Sequence, residues 1–373
     1  MNKQKIYLSP PHLSGSELKY IKDAFASGWV APVGQQIDFF EAELEKVLNH
    51  NLKVVALNSG TAAIHLALVM LGVKNGDSVI IQSNTHIASA NPILYLGAKP
   101  IFVDSEKNTW NIDPELLETA IVTETKKGKK PKAIVVVHLY GMPAKMDEIN
   151  AIAQKYNIPV VEDAAEALGS VYHEQMCGTL GDYGILSFNG NKIITTSGGG
   201  ALVTKTKENK ERAIFLATQA RDDAPHYQHS QIGYNYRMSN IVAGIGRGQM
   251  EVLNDRVKAR RANFDFYNKQ LAGLDFTFLQ EPENVFSNRW LTTILTDSFE
   301  IREKIRLTLD KENIESRPLW KPMHLQPVFE DEVVYTNGVS EDLFNRGLCL
   351  PSGSNLSQLD LNRIVKAIKQ SLN

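Results

Sequence analysis

The sequence predicts an α/β protein with a large, mostly parallel sheet packed between helices and a smaller α+β part towards the C-terminus. Short apolar runs rich in β-branched residues recur between residues 54 and 204, and stretches of helical periodicity separate them. Each run is continuous rather than alternating, which is typical of strands buried on both faces. Strands that alternate with helices form right-handed βαβ units, so neighbouring strands are expected to be parallel.

The elements follow one another in a regular order along the chain. We expect strands over 54–57, 79–81, 100–103, 133–137, 158–161, 184–188 and 200–204. We expect helices over 61–71, 89–96, 114–122 and 146–156. Beyond about residue 245 the pattern changes to a helix at 248–271, an apolar run at 290–295, and helices at 299–313 and 360–372.

This change of pattern predicts how the chain divides into domains. A chain of 373 residues exceeds the usual size of one domain. We predict a large α/β domain at 31–247 and a small α+β domain at 248–373. The N-terminal segment at 1–30 is too short to fold alone, so it is expected to pack on the small domain or on a partner subunit.

Composition narrows the class of protein further. The formal net charge is −2, which provides no overall field to attract nucleic acid or an anionic membrane. No apolar run approaches the roughly 20 residues that a membrane span needs, and the N-terminus does not resemble a signal peptide. Cys177 and Cys349 lie far apart without metal-ligand spacing, which favours reduced thiols. We therefore predict a cytoplasmic protein.

A lysine stands between the last two predicted strands of the large sheet. Lys192 follows the run at 184–188 and precedes the glycine cluster at 197–200. At such a position the amine can form a Schiff base with a carbonyl cofactor. The alternative is an ordinary solvated surface lysine.

Two segments have the residue types of a phosphate site. Ser59, Gly60 and Thr61 lie between a strand and a helix, where backbone amides and hydroxyls can bind an anion. A plain helix cap is the alternative. Ser187 and Asn189 lie just before Lys192, where a hydroxyl and an amide can reach phosphate oxygens.

A carboxylate is expected at the same edge of the sheet. Asp163 ends a buried run, and ligands of open α/β sheets bind at the carboxyl ends of strands. There it can hold a protonated pyridine nitrogen, or it can simply cap the next helix. The aromatic and polar block at 233–240 contains an asparagine and an arginine that suit an anionic ligand, although it can also be a simple loop.

Together these segments resemble the DegT/DnrJ/EryC1/StrS sugar aminotransferases. The resemblance rests on 59–63, 162–167, 187–192 and 233–238, and it extends from Pro10 to Gly353. It implies a fold-type I enzyme that uses pyridoxal 5'-phosphate (PLP), passes through pyridoxamine phosphate (PMP), and works as a homodimer with shared active sites. Within the family, 189–200 and 317–321 look most like the bacillosamine branch, which transfers the amino group of L-glutamate to C4 of a UDP-linked 4-keto-6-deoxy-N-acetyl-hexosamine.

The resemblance also implies residue roles. Lys192 is the Schiff-base lysine, and Asp163 is the partner of the pyridine nitrogen. Ser59, Gly60, Thr61, Ser187 and Asn189 surround the phosphate, with Asn235 reaching in from the other subunit. His86 occupies the position of an aromatic ring that stacks on the pyridine, and Glu166 replaces the usual Gln or His near the ring hydroxyl. The expected substrate contacts are Gly28, Trp29, Val30, Ala31, Arg237, Arg317, Trp320 and His324, with His226 as a further sugar contact.

Other functions remain as alternatives. A GDP- or dTDP-linked 4-keto-6-deoxy sugar is the alternative substrate. A sugar dehydratase on the same fold has histidine in place of the lysine, so Lys192 argues against it, and no appended module suggests a sensor. His226 and His229 lack a carboxylate or cysteine at ligand spacing, so no metal site is predicted.

Overall fold

A computed structural model describes residues 3–49 and 51–372. Its helices are α1 (Glu17–Ala26), α2 (Gln35–Leu48), α3 (Gly60–Met70), α4 (Ile87–Tyr95), α5 (Pro114–Lys126), α6 (Met146–Tyr156), α7 (Lys207–Ala217), α8 (Asn240–Met250), α9 (Leu253–Gln270), α10 (Phe299–Lys311), α11 (Val339–Arg346) and α12 (Gln358–Leu372). Its strands are β1 (Lys53–Leu57), β2 (Ser78–Gln82), β3 (Lys99–Val103), β4 (Ala133–Val137), β5 (Val160–Asp163), β6 (Val171–Tyr172), β7 (Gln175–Met176), β8 (Tyr183–Ser187), β9 (Gly200–Thr204), β10 (Thr277–Phe278), β11 (Val285–Phe286), β12 (Thr292–Leu295), β13 (Arg317–Pro318), β14 (Val333–Tyr335) and β15 (Gly347–Leu350).

The larger sheet has eight strands in the order β1-β9-β8-β5-β4-β2-β3-β14. Neighbouring strands are parallel except at β9, which runs antiparallel to β1 and to β8. The predicted α/β fold with a mostly parallel large sheet is therefore confirmed. The strand expected at 158–161 lies two residues later in the structure, as β5 (Val160–Asp163). The carboxylate of Asp163 therefore lies at the carboxyl end of the strand.

Side chains of the central strands alternate between two apolar layers. Ile81 and Val135 pack with α3 and α4 on one face of the sheet. Their neighbours Ile80 and Val136 pack with α5 and α6 on the other face. Both faces are therefore covered by helices, which explains why the strands are continuous apolar runs.

The C-terminal part contains a second, antiparallel sheet in the order β10-β12-β15-β13. It does not contain all of the later strands, because β14 pairs in parallel with β3 at the edge of the larger sheet. Near the N-terminus, Ile6 forms a β-bridge with Ile314, whereas α1 packs against α8. The domain boundaries at residues 30 and 247 stay predictions.

The prediction of one long helix at 248–271 is wrong, because two helices, α8 and α9, occupy this region. The glycine-rich face of α8 packs closely on α1, where a Cβ on Gly248 would lie 2.8 Å from the backbone nitrogen of Glu17. Val252 has non-helical backbone angles and separates the two helices, so α9 can pack on the C-terminal sheet.

Two sequence-level expectations concern the cysteines and the membrane. Cys177 and Cys349 are both free and buried, as expected for reduced thiols. Among residues 3–49 and 51–372, no helix combines the length and the apolar character that crossing a bilayer requires.

Candidate active site

A cavity of about 340 Å³ opens at the carboxyl ends of the central strands. The N-terminus of α3, the start of α4, the end of β5 and the loop after β8 form most of its wall. Two tryptophans from the C-terminal part, Trp290 and Trp320, complete the wall. The predicted residues that line it are Ser59, Gly60, Thr61, His86, Asp163, Glu166, Ser187, Asn189, Lys192 and Trp320.

The N-terminus of α3 forms one end of the cavity. Ser59 caps the helix, since its side chain accepts a hydrogen bond from the backbone nitrogen of Ala62 at 3.0 Å. Gly200 of β9 lies so close to this turn that a Cβ there would be 2.3 Å from the backbone nitrogen of Gly60. The first amides of a helix have no partner within the helix and carry a partial positive charge. This end of the cavity therefore suits a phosphate group, with Thr61 and Ser187 beside it.

The side chain of Lys192 projects into the same cavity and is 14% exposed. Its Nζ lies 4.4 Å from the centroid of the Trp290 ring and 3.5 Å from Oε1 of Glu166. The backbone nitrogen of Lys192 donates to the carbonyl of Asn189 at 3.0 Å, which shapes the loop after β8. The amine is thus enclosed by an aromatic face and a loose ion pair, and it is not a solvated surface lysine.

Asp163 is 4% exposed and lies at the end of β5. Its Oδ1 accepts a hydrogen bond from the backbone nitrogen of Ala165 at 3.1 Å, and its Oδ2 accepts one from Oγ of Ser89 at 2.7 Å. The turn at 165–169 follows it rather than a helix, so the alternative of a helix cap is wrong. The carboxylate faces the cavity with acceptor capacity left over.

Glu166 is the second carboxyl group of the cavity. Its Oε2 accepts a hydrogen bond from the backbone nitrogen of Tyr140 at 2.8 Å. Burial raises the pKa of Glu166 above its usual value, and the positive charge of Lys192 opposes this change. The group therefore holds its proton more tightly than a solvated glutamate does.

His86 caps the N-terminus of α4, where its Nδ1 accepts a hydrogen bond from the backbone nitrogen of Ala88 at 3.2 Å. Its ring contacts Trp320 edge to face, with centroids 5.3 Å apart. Desolvation lowers the pKa of His86, and the charge of Lys192 lowers it further. The imidazole is therefore neutral near pH 7, which suits a ring that stacks on an aromatic cofactor.

Several residues that were predicted to bind the cofactor or the substrate lie outside the cavity wall. Asn235 is exposed outside the cavity wall, and its carbonyl accepts a hydrogen bond from Nδ2 of Asn58 at 3.2 Å. The segment Gly28, Trp29, Val30 and Ala31 lies in the connection between α1 and α2, and Asn240 binds the carbonyl of Trp29 at 2.9 Å. Neither segment lines the cavity.

Two of the expected substrate contacts have partners within the fold and lie outside the cavity wall. Nη1 of Arg237 donates to Glu41 and to the carbonyl of Ala56. The ring of His324 hydrogen-bonds to Ser83 at 2.6 Å and to Glu341 at 3.2 Å. These polar groups take part in packing the fold, and their contacts with a substrate stay predictions.

The remaining candidates are at the surface. Arg317 is 66% exposed and pairs with Glu315 at 3.0 Å, outside the cavity. His226 and His229 lie in an exposed loop, where Nδ1 of His229 contacts the carbonyl of Gln219 at 2.9 Å. Of the expected substrate residues, Trp320 is the one that the cavity wall contains.

Several cavity residues were missed from the sequence. They are Thr85, Ser89, Asn191 and Trp290. The spacing of Thr85 and Ser89, four residues apart at a helix start, is a signal that sequence reasoning can use. Trp290 gives no local signal, because it lies 98 positions after Lys192 and the fold alone brings the two together.

Behind the cavity, Glu162 belongs to a second buried cluster with His138 and Cys177, whose potential ligand atoms lie within 4.8 Å of one another. The two oxygens of Glu162 accept hydrogen bonds from three backbone amides (Gly178, Leu180 and Gly181) and from Nε2 of His138 at 2.7 Å. All its acceptor sites are filled, so we assign this cluster a structural role.

Known proteins are similar to this chain in sequence and in fold. Residues 11–369 match the DegT/DnrJ/EryC1/StrS aminotransferase family. The chain is 52% identical over 370 residues to EpsN of Bacillus subtilis (strain 168), which is named provisionally as a pyridoxal phosphate-dependent aminotransferase; the match covers 98% of this chain and 95% of EpsN. It is 39% identical to the GDP-perosamine synthase of Escherichia coli O157:H7, with 96% of each chain covered.

Among solved structures, Spr1654 of Streptococcus pneumoniae superposes with a TM-score of 0.92 in its PMP form and 0.91 in its PLP form. The identity is 28%, and the match covers 99% of this chain and 98% of that one. The chain therefore belongs to the DegT/DnrJ/EryC1/StrS aminotransferase family, whose members are sugar aminotransferases that use PLP.

Proposed function

We propose that the protein transfers the amino group of L-glutamate to the C4 ketone of a nucleotide-linked 4-keto-6-deoxy sugar. The observation that carries this proposal is the enclosed amine of Lys192, which shares one cavity with Asp163 and the N-terminus of α3. An amine, a carboxylate and an anion-binding helix end are the groups that a sugar aminotransferase must bring together.

These residues fit PLP. The amides and hydroxyls around Gly60, Thr61 and Ser187 would hold its phosphate, Asp163 would pair with its ring nitrogen, and His86 would stack on its ring. Glu166 lies beside Lys192, where it would face the ring hydroxyl. Bound PLP supplies an electron sink, which stabilises the charge left on a carbon atom when a proton is removed from it.

The work of this chain is then mainly proton transfer. Nζ of Lys192 takes the proton from Cα of glutamate, and in the second half of the cycle it delivers a proton to C4 of the sugar. The amine must be neutral to accept a proton. The aromatic face of Trp290 lies against this amine, and Trp290 and Trp320 add apolar surface to the cavity wall around it.

Two nucleotides, UDP and GDP, are the main candidates for the group that is linked to the sugar substrate. The motif resemblance of 189–200 and 317–321 favours a UDP-linked 4-keto-6-deoxy-N-acetyl-hexosamine, the substrate of the bacillosamine branch. Three relatives named GDP-perosamine synthase, which are 34–39% identical to this chain, favour a GDP-linked 4-keto-6-deoxy sugar instead. We therefore keep the GDP-linked sugar as a second candidate.

We also propose a homodimer in the cytoplasm. Asn235 is exposed and does not line the cavity of its own chain, and an exposed Asn235 fits the shared active site that the family resemblance implies. Trp29 and Val30 are exposed apolar residues outside the cavity wall, which fits a surface that a second copy covers.

The test is turnover with a panel of nucleotide sugars. The enzyme is incubated with PLP, L-glutamate and UDP-, GDP- or dTDP-linked 4-keto-6-deoxy sugars, and products are detected by mass. We expect an amino sugar and an equal amount of 2-oxoglutarate from one nucleotide class. Loss of water from the sugar without consumption of glutamate would identify a dehydratase, and no reaction with any sugar would contradict the proposal.

A further inference from the structure

Two buried hydroxyl groups connect α4 to the carboxylate of Asp163. Oγ of Ser89 lies 2.7 Å from Oδ2 of Asp163, and Oγ1 of Thr85 lies 2.9 Å from Oγ of Ser89. Ser89 is 3% exposed and Thr85 is 1% exposed, yet both side chains line the cavity wall. None of the roles assigned above uses them.

The direction of the hydrogen bonds between Thr85, Ser89 and Asp163 follows from counting protons. An ionised carboxylate only accepts hydrogen bonds, so Ser89 must donate its single hydroxyl proton to Asp163. Oγ of Ser89 can then only accept from Thr85, which fixes the order as Thr85 to Ser89 to Asp163. Hydrogen bonds that run in one direction polarise one another and are stronger in a dry site.

The first turn of α4 sets this geometry. The helix begins at Ile87 with His86 as its cap, and the backbone nitrogen of Ser89 donates to the carbonyl of His86 at 3.0 Å. The turn that presents His86 to the cavity therefore also presents Ser89 to Asp163. Its position at a helix N-terminus adds a favourable field for the negative charge.

We propose that Ser89 is a positioning residue for Asp163 and that Thr85 acts through it. The Ala165 amide holds one carboxylate oxygen and Ser89 holds the other, so the plane of the carboxylate is fixed with lone pairs left for a ring N–H. The inference rests on the proposed pairing of Asp163 with the pyridine nitrogen of PLP.

The test compares two cofactors that differ at the ring nitrogen. Equilibrium affinity for PLP and for 1-deaza-PLP, which has carbon in place of that nitrogen, is measured by quenching of tryptophan fluorescence. We expect Ser89→Ala to weaken the binding of PLP about ten-fold, as for a lost hydrogen bond to a charged group. The binding of 1-deaza-PLP should weaken less than two-fold. Ser89→Thr keeps the hydroxyl and should restore PLP binding to within two-fold of the wild type.

Equal weakening of both cofactors, or no weakening of either, would overturn the positioning role. Thr85→Val removes the outer donor only and should weaken PLP about two- to three-fold, so it carries the same test if Ser89→Ala does not fold. Asp163→Asn separates the two hypotheses. If Asp163→Asn abolishes the tighter binding of PLP over 1-deaza-PLP while Ser89→Ala does not, the positioning role of Ser89 is wrong and the pairing of Asp163 with the ring nitrogen stands. If Asp163→Asn keeps the tighter binding of PLP, the proposed pairing of Asp163 is wrong.

Discussion

Glu162 and Asp163 are neighbours on β5, and their carboxylates do opposite things. Glu162 is fully buried and accepts four hydrogen bonds, three from backbone amides and one from His138, which is about as many as a carboxylate can accept. Asp163 faces the cavity and accepts two, from Ser89 and Ala165. A buried carboxylate with filled acceptor sites stabilises the fold, whereas one with free sites in a cavity is placed to bind a ligand.

Two of the lysines that contact carboxylates, Lys210 and Lys192, differ in a similar way. Nζ of Lys210 lies 2.9 Å from Glu41 and 3.0 Å from Glu45, whereas Lys192 has one carboxylate neighbour at 3.5 Å. We expect Lys192→Ala to lower kcat about 10⁴-fold or more, because the general acid–base group is lost. Lys210→Ala should leave kcat within three-fold of the wild type and lower the free energy of unfolding by about 1–3 kcal/mol. Steady-state kinetics and urea denaturation of both variants measure these effects, and turnover retained by Lys192→Ala would reject the mechanism.

Removal of the Glu162 carboxylate should affect folding more than chemistry. Glu162→Ala leaves the amides of Gly178, Leu180 and Gly181 and the ring of His138 without their acceptor. We expect the free energy of unfolding to fall by about 3–5 kcal/mol, as when one partner of a buried charged network is lost. Urea denaturation monitored by tryptophan fluorescence gives this value, and an Ala variant as stable as the wild type would remove the distinction drawn between the two carboxylates.

Glu166 lines the cavity, and its raised pKa should make the free energy of unfolding depend on pH. Its pKa is above the ordinary 4.5 because of burial, so the folded chain binds more protons there than the unfolded chain does. The wild type should therefore lose free energy of unfolding as the pH rises from about 4.5 through the folded-state pKa. Glu166→Gln lacks this loss, so its stability relative to the wild type should increase over that range.

Urea denaturation of the cofactor-free proteins from pH 4 to pH 8 measures this difference. Glu330→Gln is the matched control, because Glu330 is exposed and should show no such trend. A stability difference between Glu166→Gln and the wild type that does not change with pH would show that burial does not raise the pKa of Glu166.

The smallest expected effect concerns His86. Its lowered pKa keeps the ring neutral near pH 7, so stacking rather than charge should be its contribution to binding PLP. We expect His86→Ala to weaken PLP by about ten-fold at most, and His86→Phe to recover the loss. Fluorescence titration at pH 7 and pH 8 checks this, and a phenylalanine variant as weak as the alanine variant would indicate that the ring does not stack.

The sequence was sufficient where a function depends on local order. The predicted strands led directly to Asp163 at the end of β5 and to Lys192 in the loop after β8, and both line the cavity. The N-terminus of α3 was also predictable, because a small residue and two hydroxyls precede an apolar helix. These features need only neighbouring residues to form.

Contacts between distant residues were not predictable in this way. The sequence does not reveal that Glu41 is a partner of Arg237, or that Ser83 and Glu341 are partners of His324. Trp290 reaches Lys192 only through the packing of the C-terminal part on the large sheet. The edge strand β14 likewise joins β3 across more than 200 residues of chain, which periodicity does not reveal.

The most direct measurement follows the reaction of the PLP-bound enzyme with L-glutamate in a single turnover, through the change in absorbance of the bound cofactor. The wild type is compared with Asp163→Asn and Glu162→Gln, and each rate is normalised to the bound PLP. We predict that Asp163→Asn slows this step at least about 100-fold and that Glu162→Gln stays within about three-fold of the wild type. Equal slowing by both variants, or an unchanged rate in Asp163→Asn, would contradict the assignment of Asp163 to the cofactor and of Glu162 to the fold.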